Sequence, residues 1–209
     1  MNTIRRTMLL ALAAAGLGLV PLARAADEAP DALVKRISQD VLDTAKADKQ
    51  IQAGNRRRID ELVQAKIVPH VNFEHMTELA AGPSWQQATP EQKKQLVAEF
   101  STLLIHTYAG AISQVTNQQI SLKPMRGEGN DVEVRTEIVQ PRGEPIQLYY
   151  RLEKLADGWK IYDISILGAW VVDTYKGSFA AEIGRTGIDG LIKVLAAKNK
   201  SLAGGTRAS

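Results

Sequence analysis

The chain has 209 residues, with 26 Lys and Arg, 23 Asp and Glu, a formal net charge of +3 and no Cys. This length suits a single domain with a sizeable core. The lack of Cys excludes disulfides, a thiol nucleophile and a lipid anchor on cysteine from the given sequence.

The first 25 residues are predicted to be a cleaved signal peptide. Arg5 and Arg6 give the positive start, residues 7–20 are apolar, and Ala23-Arg24-Ala25 matches a cleavage site. We therefore expect an exported chain that is not an integral membrane protein, because no later apolar run reaches the length of a membrane span.

Removal of the signal changes the charge. Arg5, Arg6 and Arg24 leave with it and no acid does, so 23 basic residues face 23 acidic ones. A neutral chain gives no support for nucleic-acid binding, which depends on a basic surface that displaces counterions. We expect no nucleic-acid partner.

Helices are predicted for the first part of the mature chain. Apolar residues recur at helical spacing in residues 30–46 and 55–68. Asn72 caps a short helix that runs through Ala81. Thr89-Pro90-Glu91-Gln92 has the sequence of a capping box and predicts a long helix reaching Val115.

The pattern then changes to period two, which indicates strands joined by short turns. The predicted strands are residues 119–126, 132–138, 146–152 and 159–166, and two helices, 170–185 and 188–199, close the chain. The order predicts an α+β fold, a curved antiparallel sheet of about four strands packed by N- and C-terminal helices that enclose an apolar cavity. We expect one domain over residues 26–200 and a flexible tail over 201–209.

Residues 159–179 contain a strand-like run followed by a segment without charge, so that nine uncharged residues, 164–172, lie between Asp163 and Asp173. Strict alternation places Trp159 and Ile161 on one face of the strand. Tyr162, Ile164 and Ile166 then occupy the other face. Two interpretations remain open at this point: a strand buried between two helical layers, or a strand with one face lining an apolar pocket.

The residues that could carry catalysis or bind a metal are few and scattered. The histidines are His70, His75 and His106, and the helix predicted to start at Asn72 separates His70 from His75. We therefore expect no metal site. The segment around Ser178 lacks a nucleophile elbow, so we expect no catalytic serine.

An acid–base pair in an apolar cavity is the alternative that the residues leave open. Asp163 with Tyr108, Tyr150 or Tyr162 could form a cavity enzyme acting on a hydrophobic small molecule. In the competing interpretation Asp163 accepts hydrogen bonds from the backbone or from a neighbouring Trp or Tyr. A third possibility is a structural adaptor for a membrane complex.

Four short segments of the mature chain stand out by their order and spacing. They are Ala88-Thr89-Pro90 with Gln92 and Phe100, Thr107-Tyr108-Ala109, Trp159-Lys160-Ile161-Tyr162-Asp163-Ile164 with Gly168 and Val172, and Gly187-Ile188-Asp189-Gly190-Leu191. Together they resemble the MlaC family of periplasmic phospholipid-binding proteins, also called toluene-tolerance proteins, over nearly all of the mature chain. Trp170 departs from the family pattern, because a smaller residue is usual there.

The resemblance implies a periplasmic carrier that is not an enzyme and uses no cofactor. Its apolar cavity would hold phospholipid acyl chains and leave the head group outside. The implied partners are an outer-membrane lipoprotein–porin complex and an inner-membrane ABC-type lipid transporter. Carriage between these two complexes would maintain outer-membrane lipid asymmetry and solvent resistance, and we expect a monomer.

The residues predicted to line the pocket follow from strand parity and from the resemblance together. They are Leu104, Tyr108, Ile112, Val134, Ile138, Leu148, Tyr150, Ile164, Ile166, Trp170, Val171, Val172, Tyr175 and Phe179.

Overall fold

The computed structural model describes residues 28–204, so the predicted signal peptide over residues 1–25 lies outside the described residues. In the described range helices come first, as the sequence predicts. They are α1 (Pro30–Ala47), α2 (Lys49–Gln52), α3 (Arg56–Lys66), α4 (Phe73–Ala81) and α5 (Pro90–Tyr108), with 3₁₀ turns at Val68–His70, Gly82–Gln87 and Ala109–Gln114.

Side-chain caps fix the helix starts that the sequence predicts. The Asn72 side chain accepts a hydrogen bond from the His75 amide at 3.1 Å and begins α4. At α5 the capping box is complete, because Thr89 accepts from the Gln92 amide while the Gln92 side chain accepts from the Thr89 amide. Helix α5 ends at Tyr108 rather than Val115, and a 3₁₀ segment containing Gly110 follows, where glycine lowers helix propensity.

The strands form one antiparallel sheet in the order β1-β2-β3-β4-β5. This confirms the predicted α+β class and adds a fifth strand, which is too short to leave a periodic pattern in the sequence. The strands are β1 (Gln119–Glu128), β2 (Asp131–Val139), β3 (Ile146–Leu155), β4 (Gly158–Ile166) and β5 (Ala169–Trp170).

A β-bulge in β4 corrects the predicted strand parity. Leu152 pairs with Ile161, but Arg151 pairs with Asp163, so Tyr162 is an extra residue without a partner of its own. The bulge shifts the alternation by one residue. Ile164 therefore lies on the same face as Ile161, and the predicted division of these two residues between opposite faces is wrong.

The sheet has one apolar face and one polar face. Cross-strand pairs place Val132, Val134, Leu152 and Ile161 together on the apolar face, where they form a buried cluster with Leu33, Val34 and Ile37 of α1. The polar face carries Glu133, Arg135, Tyr149, Arg151 and Asp163. Helix α1 therefore covers part of the apolar face.

A second buried cluster joins α4, α5 and the C-terminal helix α6 (Val171–Gly204). Phe100 of α5 packs edge-on against Phe179 of α6, with ring centroids 5.0 Å apart. Helix α6 is broken at Gly187, whose φ of 73° and ψ of −179° are not helical, and the break separates the two closing helices that the sequence predicts.

Helix α6 continues through Gly204, four residues into the segment predicted as a flexible tail. The reason is that Leu202 packs against the helical cluster and holds this last turn on the domain. Residues 205–209 lie outside the described residues. Among the helices of residues 28–204, we find none that is both long and apolar enough to cross a membrane.

Candidate functional site

The central part of the predicted lining lies on the apolar face of the sheet. Val134 pairs with Tyr150, which pairs with Ile164, and in the next row Leu148 pairs with Ile166. Val134 is fully buried, whereas the other four are only partly buried. The structure therefore brings together large apolar side chains that helix α1 leaves incompletely covered.

The same rows contain apolar residues that the predicted lining omits. Ile146 pairs with Ile138, and Ile138 pairs with Ile120 of β1, so all three lie on the apolar face. They are also partly buried. The period-two alternation of β3 already contained the signal for Ile146, because it lies two residues before Leu148.

Two polar side chains on the apolar face have their hydrogen bonds satisfied internally. The buried Thr136 hydroxyl donates to the Leu148 carbonyl at 2.9 Å. Burial raises the pKa of the Tyr150 hydroxyl, and hydrogen bonds with Ser38 and Thr136 oppose that shift. Neither group therefore makes this face polar, and Tyr150 stays a neutral phenol at neutral pH.

Four predicted lining residues are instead part of the helical core. Leu104, Val171, Val172 and Phe179 are all buried in the cluster formed by α4, α5 and α6. The charge-free sequence of residues 170–172 is explained here by packing at the start of α6. Their contact with a ligand stays a prediction.

Three more predicted lining residues lie at the junction between helical clusters. Ile112 packs with the cluster of α1, α2 and α3, while Tyr175 packs against the cluster of α4, α5 and α6. Tyr108 has 37% of its surface exposed. Burial raises the pKa of the Tyr175 hydroxyl, with a further contribution from the nearby Tyr108. Their contact with a ligand stays a prediction.

Trp170 lies away from the apolar face. It pairs with Ser165, which belongs to the polar face, and the Arg151 guanidinium stacks over its ring at 3.8 Å. The β4 bulge and the short β5 strand set this orientation, and the geometry does not support Trp170 as a lining residue.

Asp163 performs a structural role at the start of α6. Its Oδ1 accepts hydrogen bonds from the amides of Ile164 at 2.9 Å and Val172 at 3.0 Å, and Arg151 Nη1 lies 3.3 Å from its Oδ2. Burial raises the pKa of this carboxyl, and the hydrogen bonds from the two amides and the charge of Arg151 oppose that shift. This geometry confirms the interpretation that Asp163 accepts from the backbone.

None of the three candidate tyrosines pairs with Asp163. The Tyr162 hydroxyl donates a hydrogen bond to the Asp131 carboxylate at 2.9 Å. Burial, and to a lesser extent this hydrogen bond, raises the pKa of Tyr162 to about 12. Tyr150 lies on the opposite face of the sheet, and Tyr108 is near Tyr175. The structure does not assemble the Tyr–Asp acid–base pair.

The histidines are also held in separate environments. His75 Nδ1 lies 2.8 Å from Glu153 Oε1, and its ring stacks on Tyr162 with centroids 4.5 Å apart. Burial lowers the pKa of both His70 and His106. A search of residues 28–204 finds no group of three or more His, Asp or Glu side chains that could hold a metal ion.

Two grooves on the surface of residues 28–204 are lined by none of the residues of the apolar face. The first has a volume of about 800 Å³ and is lined by Arg56, Arg57, Asp60, Glu61, Gln64, Ala65, His106 and Ala203. The second is smaller, with a volume of about 370 Å³, and lies between α1, α2 and the 3₁₀ segment before β1. No predicted lining residue contributes to either groove, so the enclosed apolar cavity stays a prediction.

The fold and this face define a class of protein. A helix-covered antiparallel sheet with a continuous apolar face, whose buried carboxylate Asp163 is engaged by backbone amides, is suited to binding an apolar ligand. The class alone does not name the ligand.

Comparison with known proteins identifies the family. The model of the MlaC protein family matches residues 35–197, and the chain belongs to this family. The intermembrane phospholipid transport system binding protein MlaC of Haemophilus influenzae is 24% identical over 179 residues, covering 83% of this chain and 84% of that protein. The toluene tolerance protein ttg2D of Pseudomonas putida is 24% identical over 190 residues, covering 90% and 86% of the two chains.

A solved structure gives the strongest of these likenesses. A phospholipid-binding protein from Ralstonia solanacearum, solved in complex with a phospholipid, is 45% identical to this chain. It aligns with a TM-score of 0.79 and covers 85% of this chain and 99% of that one. The predicted family resemblance is confirmed.

Proposed function

We propose that this protein is a periplasmic phospholipid carrier that holds acyl chains against the apolar face of its sheet. The observation that carries the proposal is the 45% identity and shared fold with a protein solved in complex with a phospholipid. The partly buried row of Ile138, Leu148, Tyr150, Ile164 and Ile166 supports it, because apolar side chains left half covered by their own chain suit an apolar ligand.

The energetics fit a carrier that does not release its lipid into water. Each buried methylene contributes about 0.8 kcal/mol relative to water. Two acyl chains with roughly 14 buried methylenes each give a gross stabilisation of about 20 kcal/mol, which is near the limit of non-covalent affinity. The head group then needs to contribute little and can stay outside.

Exchange between two apolar environments has a much smaller net free energy than escape into water. A carrier of this kind therefore does not set the direction of transport, and its partners must do so. We propose that lipid passes between an outer-membrane lipoprotein–porin complex and an inner-membrane ABC-type transporter, and that this traffic maintains outer-membrane lipid asymmetry. The intermembrane transport named for the Haemophilus relative supports this assignment.

We further propose that the chain is exported by its N-terminal signal, acts as a monomer and needs no cofactor. The enzyme alternative has no supporting geometry, because Asp163 is engaged by two backbone amides and Arg151. The adaptor alternative does not account for the partly uncovered apolar face.

Mass spectrometry of organic extracts tests the carrier directly. Protein purified without detergent should release phospholipid, and delipidated protein should take it up again from vesicles. The adaptor alternative instead predicts protein that neither contains phospholipid nor acquires it, and this result would end the carrier proposal.

A further inference from the structure

The turn between β4 and β5 presents a bulky apolar residue in an unfavourable backbone conformation. Among residues 28–204, Leu167 is the non-glycine residue with positive φ, at 52°, and Gly168 follows with φ 87°. The pair forms a two-residue hairpin turn between Ile166 of β4 and Ala169 of β5, which pair with each other. Asn or Gly adopts this conformation more readily than Leu.

The register of the hairpin is well defined, because Ile166 and Ala169 pair directly across the turn. Leu167 is also 71% exposed, the largest value among the exposed large apolar side chains of the described residues. A residue in an unfavourable backbone conformation that leaves most of its side chain exposed contributes little to the folding of this domain. Backbone strain that persists without a folding benefit is a feature of functional positions.

The turn lies at the open end of the apolar face. The Leu167 amide donates to the Gln147 carbonyl at 3.1 Å, next to the Leu148–Ile166 pair. Ile146 at the start of β3, which pairs with Ile138 on the apolar face, is only partly buried. Apolar surface therefore continues from the hairpin tip along the sheet to the residues proposed to hold acyl chains.

We infer that the Leu167–Gly168 turn is the element with which this protein touches a phospholipid bilayer during lipid exchange. This inference rests on the proposed carrier function and adds to it the surface that meets the lipid source. Leu167 enters the acyl layer, and the apolar strip behind it receives the lipid.

A bilayer fits the chemistry of the tip better than a protein pocket does. A fluid acyl layer accepts a single projecting leucine without a complementary shape, and the exposed Leu167 stands at the tip of a tight turn. Trp170 lies beside the turn in β5 with the Arg151 guanidinium over its ring, and an aromatic ring with a polar contact suits the interface between head groups and acyl chains.

Leu155 provides a matched control. It is 40% exposed and lies at the opposite end of the sheet, as the last residue of β3 before the turn to β4. Leu167→Asn should slow phospholipid transfer between protein-free vesicles of phosphatidylethanolamine and phosphatidylglycerol by about tenfold, equivalent to about 1.4 kcal/mol. Leu155→Asn should leave the rate unchanged.

The same substitution should not harm the fold, because Asn tolerates positive φ. We expect the melting temperature of Leu167→Asn to equal or exceed that of the wild type, with an unchanged amount of bound lipid at equilibrium. Transfer at the wild-type rate, or equal slowing by Leu155→Asn, would overturn the inference.

A binding measurement separates this inference from the proposed function. The sequence has no Cys, so Leu167→Cys and Leu155→Cys each create a single labelling site. An environment-sensitive dye at position 167 should shift to the blue when these vesicles are added, and the dye at position 155 should not. No shift at position 167 in a protein that still carries phospholipid would exclude bilayer contact and favour a protein partner, whereas a wild type without lipid would instead refute the carrier.

Discussion

Replacing Asp163 with alanine should destabilise the domain by about 2–4 kcal/mol, as worked from its contacts. The substitution leaves the buried amide of Val172 and the partly buried amide of Ile164 without their acceptor. An unsatisfied buried donor costs about 1–3 kcal/mol, and loss of a helix N-terminal acceptor costs about 1 kcal/mol. Arg151 adds little, because 36% of its side chain is exposed and water can replace its partner.

Asp163→Asn is the matched control. Its side-chain oxygen can still accept from both amides, so the expected cost is below about 1.5 kcal/mol. Urea unfolding followed by circular dichroism measures both variants, and an unchanged m-value would show that they lose stability rather than compactness. Equal losses for the two variants would refute the reasoning, because the argument depends on the retained oxygen.

The pH dependence of stability provides a second test of the role of Asp163. Because burial raises the folded-state pKa of Asp163 above its unfolded value, the folded state binds this proton more tightly. The wild type should therefore gain stability relative to Asp163→Asn as the pH falls through the raised pKa, and lose it as the pH rises. A difference between the two proteins that does not vary with pH would contradict this.

Three further predictions concern other parts of the molecule. Leu148→Asp should reduce the phospholipid extracted per protein several-fold, whereas Gln147→Asp on the polar face should leave it unchanged. Equal loss of lipid in both variants would contradict the assignment of the lipid to the apolar face. Gly187→Ala should destabilise the domain by about 1–3 kcal/mol, because the backbone conformation of Gly187 is essentially restricted to glycine. Gly184→Ala, within the helix, should instead stabilise the domain by about 0.5–1 kcal/mol. Thermal melts of both variants measure these changes. Burial lowers the folded-state pKa of His106, so stability should fall as the pH falls from about 6.5 toward that pKa, and by less in His106→Gln.

Local chemistry in the sequence predicts most of the fold. The capping box at Thr89 and the cap at Asn72 place the starts of α5 and α4 correctly, because these signals depend only on neighbouring residues. Alternation predicts the four long strands for the same reason. Strand β5 has only two residues, so its pairing with β4 depends on the three-dimensional position of the chain after the turn.

The bulge at Tyr162 explains the error in the predicted strand parity. Strict alternation assumes one residue per pairing position, and the bulge adds a residue that no sequence period reveals. It moves Asp163 to the polar face, where it holds the start of α6, and brings Ile164 to the same face as Ile161. The bulge therefore creates the continuous apolar face and a helix anchor within three consecutive positions.

The identity of the ligand could not be predicted from residue chemistry alone. The residues argue against most catalytic and metal sites and indicate an apolar surface. A site for acyl chains, however, needs no characteristic polar residues from which the ligand could be identified. The family resemblance, which lies in the order of several short segments, predicts phospholipid as the ligand. The match to the MlaC family over residues 35–197 confirms that resemblance.

Photo-crosslinking with a phospholipid that carries a diazirine near the end of its acyl chain tests the central claim most directly. After loading and illumination, peptide mass spectrometry should find the lipid on β3 and β4, at Leu148, Tyr150, Ile164 or Ile166. Crosslinks concentrated on the polar face, at Tyr149 or Arg151, or in the groove lined by Arg57 and His106, would contradict the claim that acyl chains lie on the apolar face.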